Sequence, residues 1–336
     1  MNATMSLEKI QHYPVMLDQV LSIISPQHGG TFIDCTFGGG GYTKAILKYP
    51  NTKVFALDRD EITKKNAEIL VKKFPKRFKF FQDKFSNLNN IIDLNLKPSG
   101  IIFDLGLSSF QLTDKKRGFS FESKNSISME MGINKYSAYD VVNNLDKQFL
   151  GNIIKILGEE KDGKIIANKI AKHRDKKKIK TSEELASIIG NVKKKYSKYK
   201  KNPATKTFQA IRIFVNQELT ELVLGLINSA KLLSNGGVLL VVCFHSLEDR
   251  IVKNFFNLYS DLNSNTSRYL PSKEKSILFN LPSKKALIPS ESEIFQNRSS
   301  RSAKLRYAIR NHNSFSYPYE FKKKFENYFN IEEVRS

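Results

Sequence analysis

Apolar residues along this chain fall into two patterns. Short, nearly continuous runs of Ile, Val, Phe and Leu begin at Thr31 and recur at residues 53–58, 78–82, 99–104 and 237–244. Such runs suit strands buried on both faces, as in a parallel sheet. Between them apolar positions recur at helical spacing, as in residues 61–74. Ahead of the first strand, Val15, Met16, Val20, Leu21 and Ile24 make one face of a helix over residues 12–24, with Pro14 near its first turn. Alternating strands and helices predict an α/β fold with a doubly wound, Rossmann-like parallel sheet.

From about Lys115 to Thr207 the alternation stops. Only helical patterns are found there, at 146–157, 164–173 and 181–189, the last opening with the capping-box sequence Thr181-Ser-Glu-Glu184. The sheet pattern resumes with a long helix over 207–233 and the strand at 237–244. After Phe256 the chain turns polar and Ser-rich, carries a basic stretch at 298–310, and ends in an aromatic, charged tail. The predicted organisation is a sheet domain in two parts, 1–114 and 208–310, a helical insertion at 115–207, and a tail at 311–336.

The first strand ends in four glycines, Gly38 to Gly41, followed by a helical pattern from Tyr42. A strand, a glycine turn and a helix start present backbone N–H groups to an anionic group of a ligand. Asp58 lies 20 residues beyond Gly38, at the end of the second strand, where a carboxylate meets ribose hydroxyls. The dinucleotide pattern G-x-G-x-x-G fails, because Thr43 or Lys44 occupies its third glycine position. The looser glycine cluster suits S-adenosylmethionine. A nucleotide-dependent oxidoreductase would share the loop and Asp58, and stays open at this point.

Three further stretches carry candidate chemistry. The fourth strand ends at Asp104 and continues through Gly106, Ser108, Ser109 and Gln111, at the sheet edge where open α/β folds bind ligands. His245, in Phe244-His-Ser-Leu-Glu-Asp-Arg250, leaves the fifth strand at that same edge, and Ser246 with Asp249 matches an N-cap. A helix beginning at Asn202 and Pro203 carries a stripe of Gln209, Arg212 and Asn216 suited to a buried or substrate-facing role. No His or Cys stands at metal-ligand spacing, so no metal is expected.

Charge adds a partner class. A formal net charge of +22 attracts polyanions, nucleic acid above all, with lysines gathered at 172–180 and 193–206. A general lysine bias of the whole chain competes with that reading, and so does a non-catalytic ribosome-binding protein. No apolar run approaches the roughly 18–20 residues of a membrane span. Two cysteines and no signal-peptide pattern point to a cytosolic protein.

His12-x-Pro-Val, Asp34-x-Thr-Phe-Gly38, Asp104-Leu-Gly-x-Ser-Ser109, Arg117-Gly-Phe-Ser-Phe121 and Gly158-Glu-Glu160 occur in that order. They are followed by Pro203-Ala-Thr-Lys-Thr-Phe-Gln-Ala-Ile-Arg-Ile213, the 244–250 motif and Arg301-Ser-Ala-Lys-Leu-Arg306. In these motifs the chain resembles the bacterial small-subunit rRNA cytosine-N4 methyltransferases, the RsmH or MraW type. The resemblance implies a class I S-adenosylmethionine-dependent methyltransferase fold with an inserted helical substrate domain. It also implies S-adenosylmethionine as donor, and as substrate a cytidine of 16S rRNA in the decoding centre of the small ribosomal subunit.

By the resemblance, the donor-binding positions are Gly40, Gly41, Tyr42, Asp58, Phe85, Asp104 and Gln111. Asp104, Ser108, Ser109 and His245 are the catalytic candidates, the Asp104–Ser109 exit supplying acceptors to the cytosine amine. Tyr42 departs from the family's usual His, and Ser126-Ile-Ser-Met-Glu-Met-Gly132 departs from its Asp-Met-Arg-Met-Asp pattern. Asn297-Arg-Ser-Ser-Arg301 keeps the basic character of its counterpart, whereas the tail from Asn311 has no clear counterpart. Oligomeric state, a homodimer included, is left open.

Overall fold

The computed structural model describes residues 14–134, 136–193, 202–260 and 277–333. His12 of the first motif and most of the 193–206 lysine stretch lie outside the described residues. Seven strands form one sheet: β1 (Gly30–Asp34), β2 (Thr52–Leu57), β3 (Phe78–Phe81), β4 (Gly100–Asp104), β5 (Val238–Cys243), β6 (Phe279–Asn280) and β7 (Lys304–Arg310). Their order is β3-β2-β1-β4-β5-β7-β6. β1 to β5 are parallel, and β7 runs antiparallel between β5 and β6. β1 pairs with both β2 and β4, so the chain reverses direction across the sheet between β1 and β4. Loops leaving the two strands diverge there and open a crevice beyond their carboxyl ends.

Alternate side chains of each strand enter different cores. Ile33, Ile101, Leu239 and Val241 face one side. Phe32, Ile102, Leu240 and Val242 face the other, against Val20 and Ile24 of the first helix, Leu17–Ile24. Burial on both faces explains why β1, β4 and β5 read as continuous apolar runs.

Between β4 and β5 stand the helices Ala138–Asn144, Lys147–Leu157, Gly163–Arg174 and Ser182–Lys193. Their apolar residues, Val141, Leu150, Ile153 and Ile166 among them, join the same core as Ile33 and Ile101. These helices pack on one another and on the helix Thr205–Asn216, through which their core is continuous with that of the sheet. The long helix expected at 207–233 is two, Thr205–Asn216 and Glu218–Leu232, broken where Gln217 adopts φ 53°. Asn202 accepts from the backbone N–H of Ala204 and caps the turn before the first of these helices.

The basic stretch at 298–310 is largely β7, and the charges of Lys304, Arg306 and Arg310 are committed internally. Lys304 and Arg306 pair with Asp249. Arg310 is buried and donates to the carbonyls of Ala230, Leu278, Asn311 and Asn313. Arg298 and Arg301 alone of its arginines are exposed. The tail forms two short helices, Tyr319–Lys324 and Glu326–Glu332. Its Phe321 packs on Phe255, and its buried Glu332 accepts from the backbone N–H groups of Leu219 and Thr220 at the start of Glu218–Leu232.

Candidate active site

A cavity opens at the carboxyl ends of β1, β2, β4 and β5 and is lined by the glycine loop, Asp58, Phe85, Asp104, Met131, Glu218 and Glu248, among others. Behind the lining, at the end of β1, lies Asp34, which sequence reasoning placed in a motif without giving it a role. The Asp34 carboxylate is fully buried, accepting from the backbone N–H of Thr36 at 3.2 Å and the hydroxyl of Thr43 at 2.7 Å. Burial pushes its pKa up to about 6. Thr36 Oγ1 in turn accepts from the backbone N–H of Asp104 at 2.7 Å, which ties the exit of β4 to the loop after β1.

Gly38 and Gly40 hold φ 50° and 73°, where a side chain is strained. A Cβ on Gly41 would lie 2.3 Å from Pro14 Cγ, so the loop closes against the chain entering the first helix. Tyr42, the departure from the family pattern, is buried beneath the loop with its hydroxyl donating to the carbonyl of Val15. The ring fixes the loop from below, which gives Tyr42 a structural use that the sequence did not reveal.

Asp58 faces the loop. Its Oδ2 accepts from the backbone N–H of Gly38 at 2.7 Å and its Oδ1 from that of Asp60 at 2.9 Å. A carboxylate has about four acceptor positions, so two remain for ligand hydroxyls. Burial raises its pKa to about 6 against these two hydrogen bonds. Phe85 lines the cavity with its ring edge-on to Phe103, centroids 5.2 Å apart, and offers a flat apolar wall.

At the exit of β4, Ser108 caps the helix Ser109–Thr113, accepting from the backbone N–H of Gln111, while Gln111 Oε1 accepts from that of Ser108. Gln111 Nε2 donates to Asp60. Ser108 and Gln111 thus line the cavity but spend most of their hydrogen-bonding capacity on the turn. The Ser109 side chain lies outside the described residues. Asp104 differs from all of these, since its Oδ1 is buried with no partner among the described residues. Burial, then the charges of Asp34 and Glu248, push its pKa well above the usual carboxylate range.

His245 is absent from the cavity lining. It is the N-cap of Ser246–Leu258, its Nδ1 accepting from the backbone N–H of Glu248 at 3.4 Å. The expected Ser246–Asp249 cap is not formed. Ser246 donates to Glu159, and Asp249 is held by Lys304 and Arg306. Glu248 Oε2 accepts from the backbone N–H groups of Phe244 at 2.7 Å and His245 at 3.1 Å. Histidine three residues before glutamate at a strand exit is the capping-box signal that would have singled out Glu248. Glu218, His245 and Glu248 also cluster at cation-ligand spacing. With Nδ1 accepting, His245 carries a hydrogen on Nε2 and turns that atom towards Glu248 Oε1 as a donor.

Of the stripe of Gln209, Arg212 and Asn216, Asn216 is buried and the other two are half-buried. Arg212 binds Glu218 through two 2.8 Å bonds. Asn216 donates to the carbonyl of Met129 and accepts from the backbone N–H of Met131, so it anchors the loop that departs from the family pattern and sets Met131 in the cavity wall.

A family model described as the MraW methylase family matches residues 9–311. The chain belongs to the MraW methylase family. Among curated relatives, ribosomal RNA small subunit methyltransferase H of Ehrlichia chaffeensis is 46% identical over 303 residues, covering 89% of this chain and 99% of its own. The proteins of that name from a Wolbachia of Drosophila simulans and from Orientia tsutsugamushi are 45% and 41% identical, covering 88% and 89% of this chain and 97% and 98% of their own. A solved rRNA methylase from Streptococcus thermophilus covers 87% of this chain and 96% of its own at 10% identity with a TM-score of 0.35. The strand order β3-β2-β1-β4-β5-β7-β6 and the family match identify the fold. The sheet of this MraW family member is the class I methyltransferase sheet.

The donor that this fold uses, S-adenosylmethionine, fits the residues present. Backbone N–H groups of the glycine loop suit its carboxylate, free acceptor positions on Asp58 suit its ribose, and the Phe85 ring suits its adenine. The unpartnered Asp104 oxygen suits a cationic or amine neighbour.

Proposed function

We propose that this protein transfers the methyl group of S-adenosylmethionine to the exocyclic N4 of a cytidine in 16S rRNA, at the decoding centre of the small ribosomal subunit in the cytoplasm. The relatives' shared name supports small-subunit rRNA as substrate. The observation that carries the chemistry is Asp104, whose buried Oδ1 has no partner among the described residues and borders the cavity. The lone pair of the cytosine amine is delocalised into the ring, so the protein's task is to draw it back and aim it. Asp104 accepts one amine hydrogen and orients N4 along the line to the donor methyl, which is positioning catalysis. S-adenosylmethionine supplies the methyl already activated on a sulfonium. A cation bound beside Asp104 would favour the carboxylate over the acid, opposing the burial that raises that group's pKa.

Asp58 and Phe85 hold the nucleoside half of the donor, with Gly40, Gly41 and the buried Tyr42 shaping the loop. The insertion at 115–207 is the substrate-recognition part. Exposed Lys172, Lys176, Lys177 and Lys180 on it, with Arg298 and Arg301 across the chain, bind phosphates of the folded RNA. Incubating small subunits that lack the modification with isotope-labelled donor tests this reading. Label on one cytidine supports it, and the same subunits left unlabelled would reject it.

A further inference from the structure

Two carboxylates enter the cavity from neighbouring strand exits, Asp104 after β4 and Glu248 just after β5. β4 and β5 are paired in register up to Asp104 and Val242, which brings both exits to one edge. Asp104 is the acid whose Oδ1 has no partner among the described residues. Glu248 is fixed differently, in a setting built for an anion. Its Oε2 takes two backbone N–H groups, from Phe244 and His245, and its Oε1 lies 3.1 Å from His245 Nε2. That ring nitrogen is buried, and Glu248 Oε1 is the group it faces among the described residues. Arg212 stands behind, bound through both guanidinium bonds to Glu218, whose carboxylate shares the cluster with Glu248 and His245.

We propose that Glu248 is the catalytic residue that receives the proton released by the target amine, and that His245 is its positioning residue. This rests on the methyl-transfer reading above. In the step, the N4 lone pair forms the new N–C bond while the C–S bond breaks and its electron pair returns to sulfur, leaving a neutral thioether. N4 then carries the positive charge and two hydrogens. One stays hydrogen-bonded to Asp104, and the other passes as a proton to Glu248, leaving neutral N4-methylcytosine and a carboxylic acid.

The two acids are suited to different duties. Protonated N4 is a strong acid, so a weak base suffices provided it is ionised throughout the working pH range. Glu248 meets that condition. Although burial alone would raise its pKa, His245 first and Arg212 after it, with the Phe244 N–H, hold it below the usual glutamate range. Asp104 is pushed the other way, in part by the charge of Glu248 itself. Two carboxylates with pKa values driven apart is the pattern by which acid and base roles are told apart at one site. The ionisable groups facing Glu248 are Asp104 from β4, Arg212 and Glu218 from the two helices, His245 from its own turn, and the neutral thiol of Cys243.

The test is single-turnover methyl transfer to small subunits as a function of pH, with S-adenosylhomocysteine affinity measured alongside. Glu248→Gln should lower the rate about 100-fold or more, the scale of a lost general base, with product affinity within threefold of wild type. His245→Asn keeps a cap for the helix but removes the ring, so the acid limb of the rate profile should move to higher pH. Glu248→Asp, which retains the carboxylate, should recover part of the rate and guards against a fold defect in the Gln variant. A Glu248→Gln rate within threefold of wild type, or an acid limb unmoved by His245→Asn, would overturn the assignment. Wild-type enzyme without any transfer to the subunit would instead overturn the methyl-transfer reading itself.

Discussion

Replacing Asp58 by Asn tests the donor half of the cavity at a single atom. The wild-type carboxylate accepts from Gly38 N at 2.7 Å and Asp60 N at 2.9 Å. Asparagine keeps one acceptor oxygen and turns the other position into an NH2, so one backbone N–H faces a donor and loses its partner. Hydrogen bonds to a charged group contribute about 1.5–3 kcal/mol. At about 1.4 kcal/mol per tenfold, that corresponds to roughly 10- to 150-fold weaker binding if the loss falls on the closed, ligand-competent loop. Removing an acceptor for the ribose acts in the same direction. Isothermal titration with S-adenosylhomocysteine reads the affinity, and thermal melting separates it from general destabilisation. Binding within threefold of wild type, with an unchanged melting temperature, would refute both the loop anchor and the ribose role.

Other predictions follow from the same geometry. Donor affinity should fall as pH drops below about 6, because Asp58 is raised to about 6 and loses an acceptor on protonation; titration calorimetry between pH 5 and 8 checks this. The sign for stability is opposite. Raised pKa values of Asp34 and Asp58 mean that the fold takes up protons before the unfolded chain does, so their contribution is full below about pH 4 and is lost as pH rises through 6. Gly225→Ala places a Cβ 2.8 Å from the Phe85 ring and 3.1 Å from Phe103; overpacking of about 1–3 kcal/mol should displace Phe85 and weaken donor binding at least threefold by calorimetry. Glu332→Ala strips the partners from Leu219 N and Thr220 N. It should cost about 0.5–2 kcal/mol in denaturant unfolding, whereas no change would mean that the tail does not brace the helix bearing Glu218.

The parallel half of the sheet was legible because its strands are buried on both faces and written in Ile, Val, Phe and Leu. β7 was not, since Lys304, Arg306 and Arg310 read as a solvated basic segment. Their charges are used against Asp249 and against backbone carbonyls, which a linear pattern does not display. The break at Gln217 was hidden in the same way: apolar spacing continues across it, and only φ 53° at that residue separates the helices. At the site, the glycine loop, Asp58 and Asp104 were visible from spacing at strand ends. Ser108 and Gln111 were visible as polar residues, but their mutual capping was not. Asp34 was missed because a buried acid beside a strand looks like any other until its partners are known, and Glu248 because its capping-box spacing from His245 was not read. Tyr42 became intelligible only with Val15 above its hydroxyl.

The most direct measurement is the position of the transferred methyl. Small subunits lacking the modification are incubated with labelled S-adenosylmethionine and this protein, and the rRNA is digested and mapped by mass spectrometry. The predicted result is one labelled methyl, on N4 of a single decoding-centre cytidine, lost in the Asp104→Ala variant. Label on cytosine C5, on another base, or on protein alone would contradict the account.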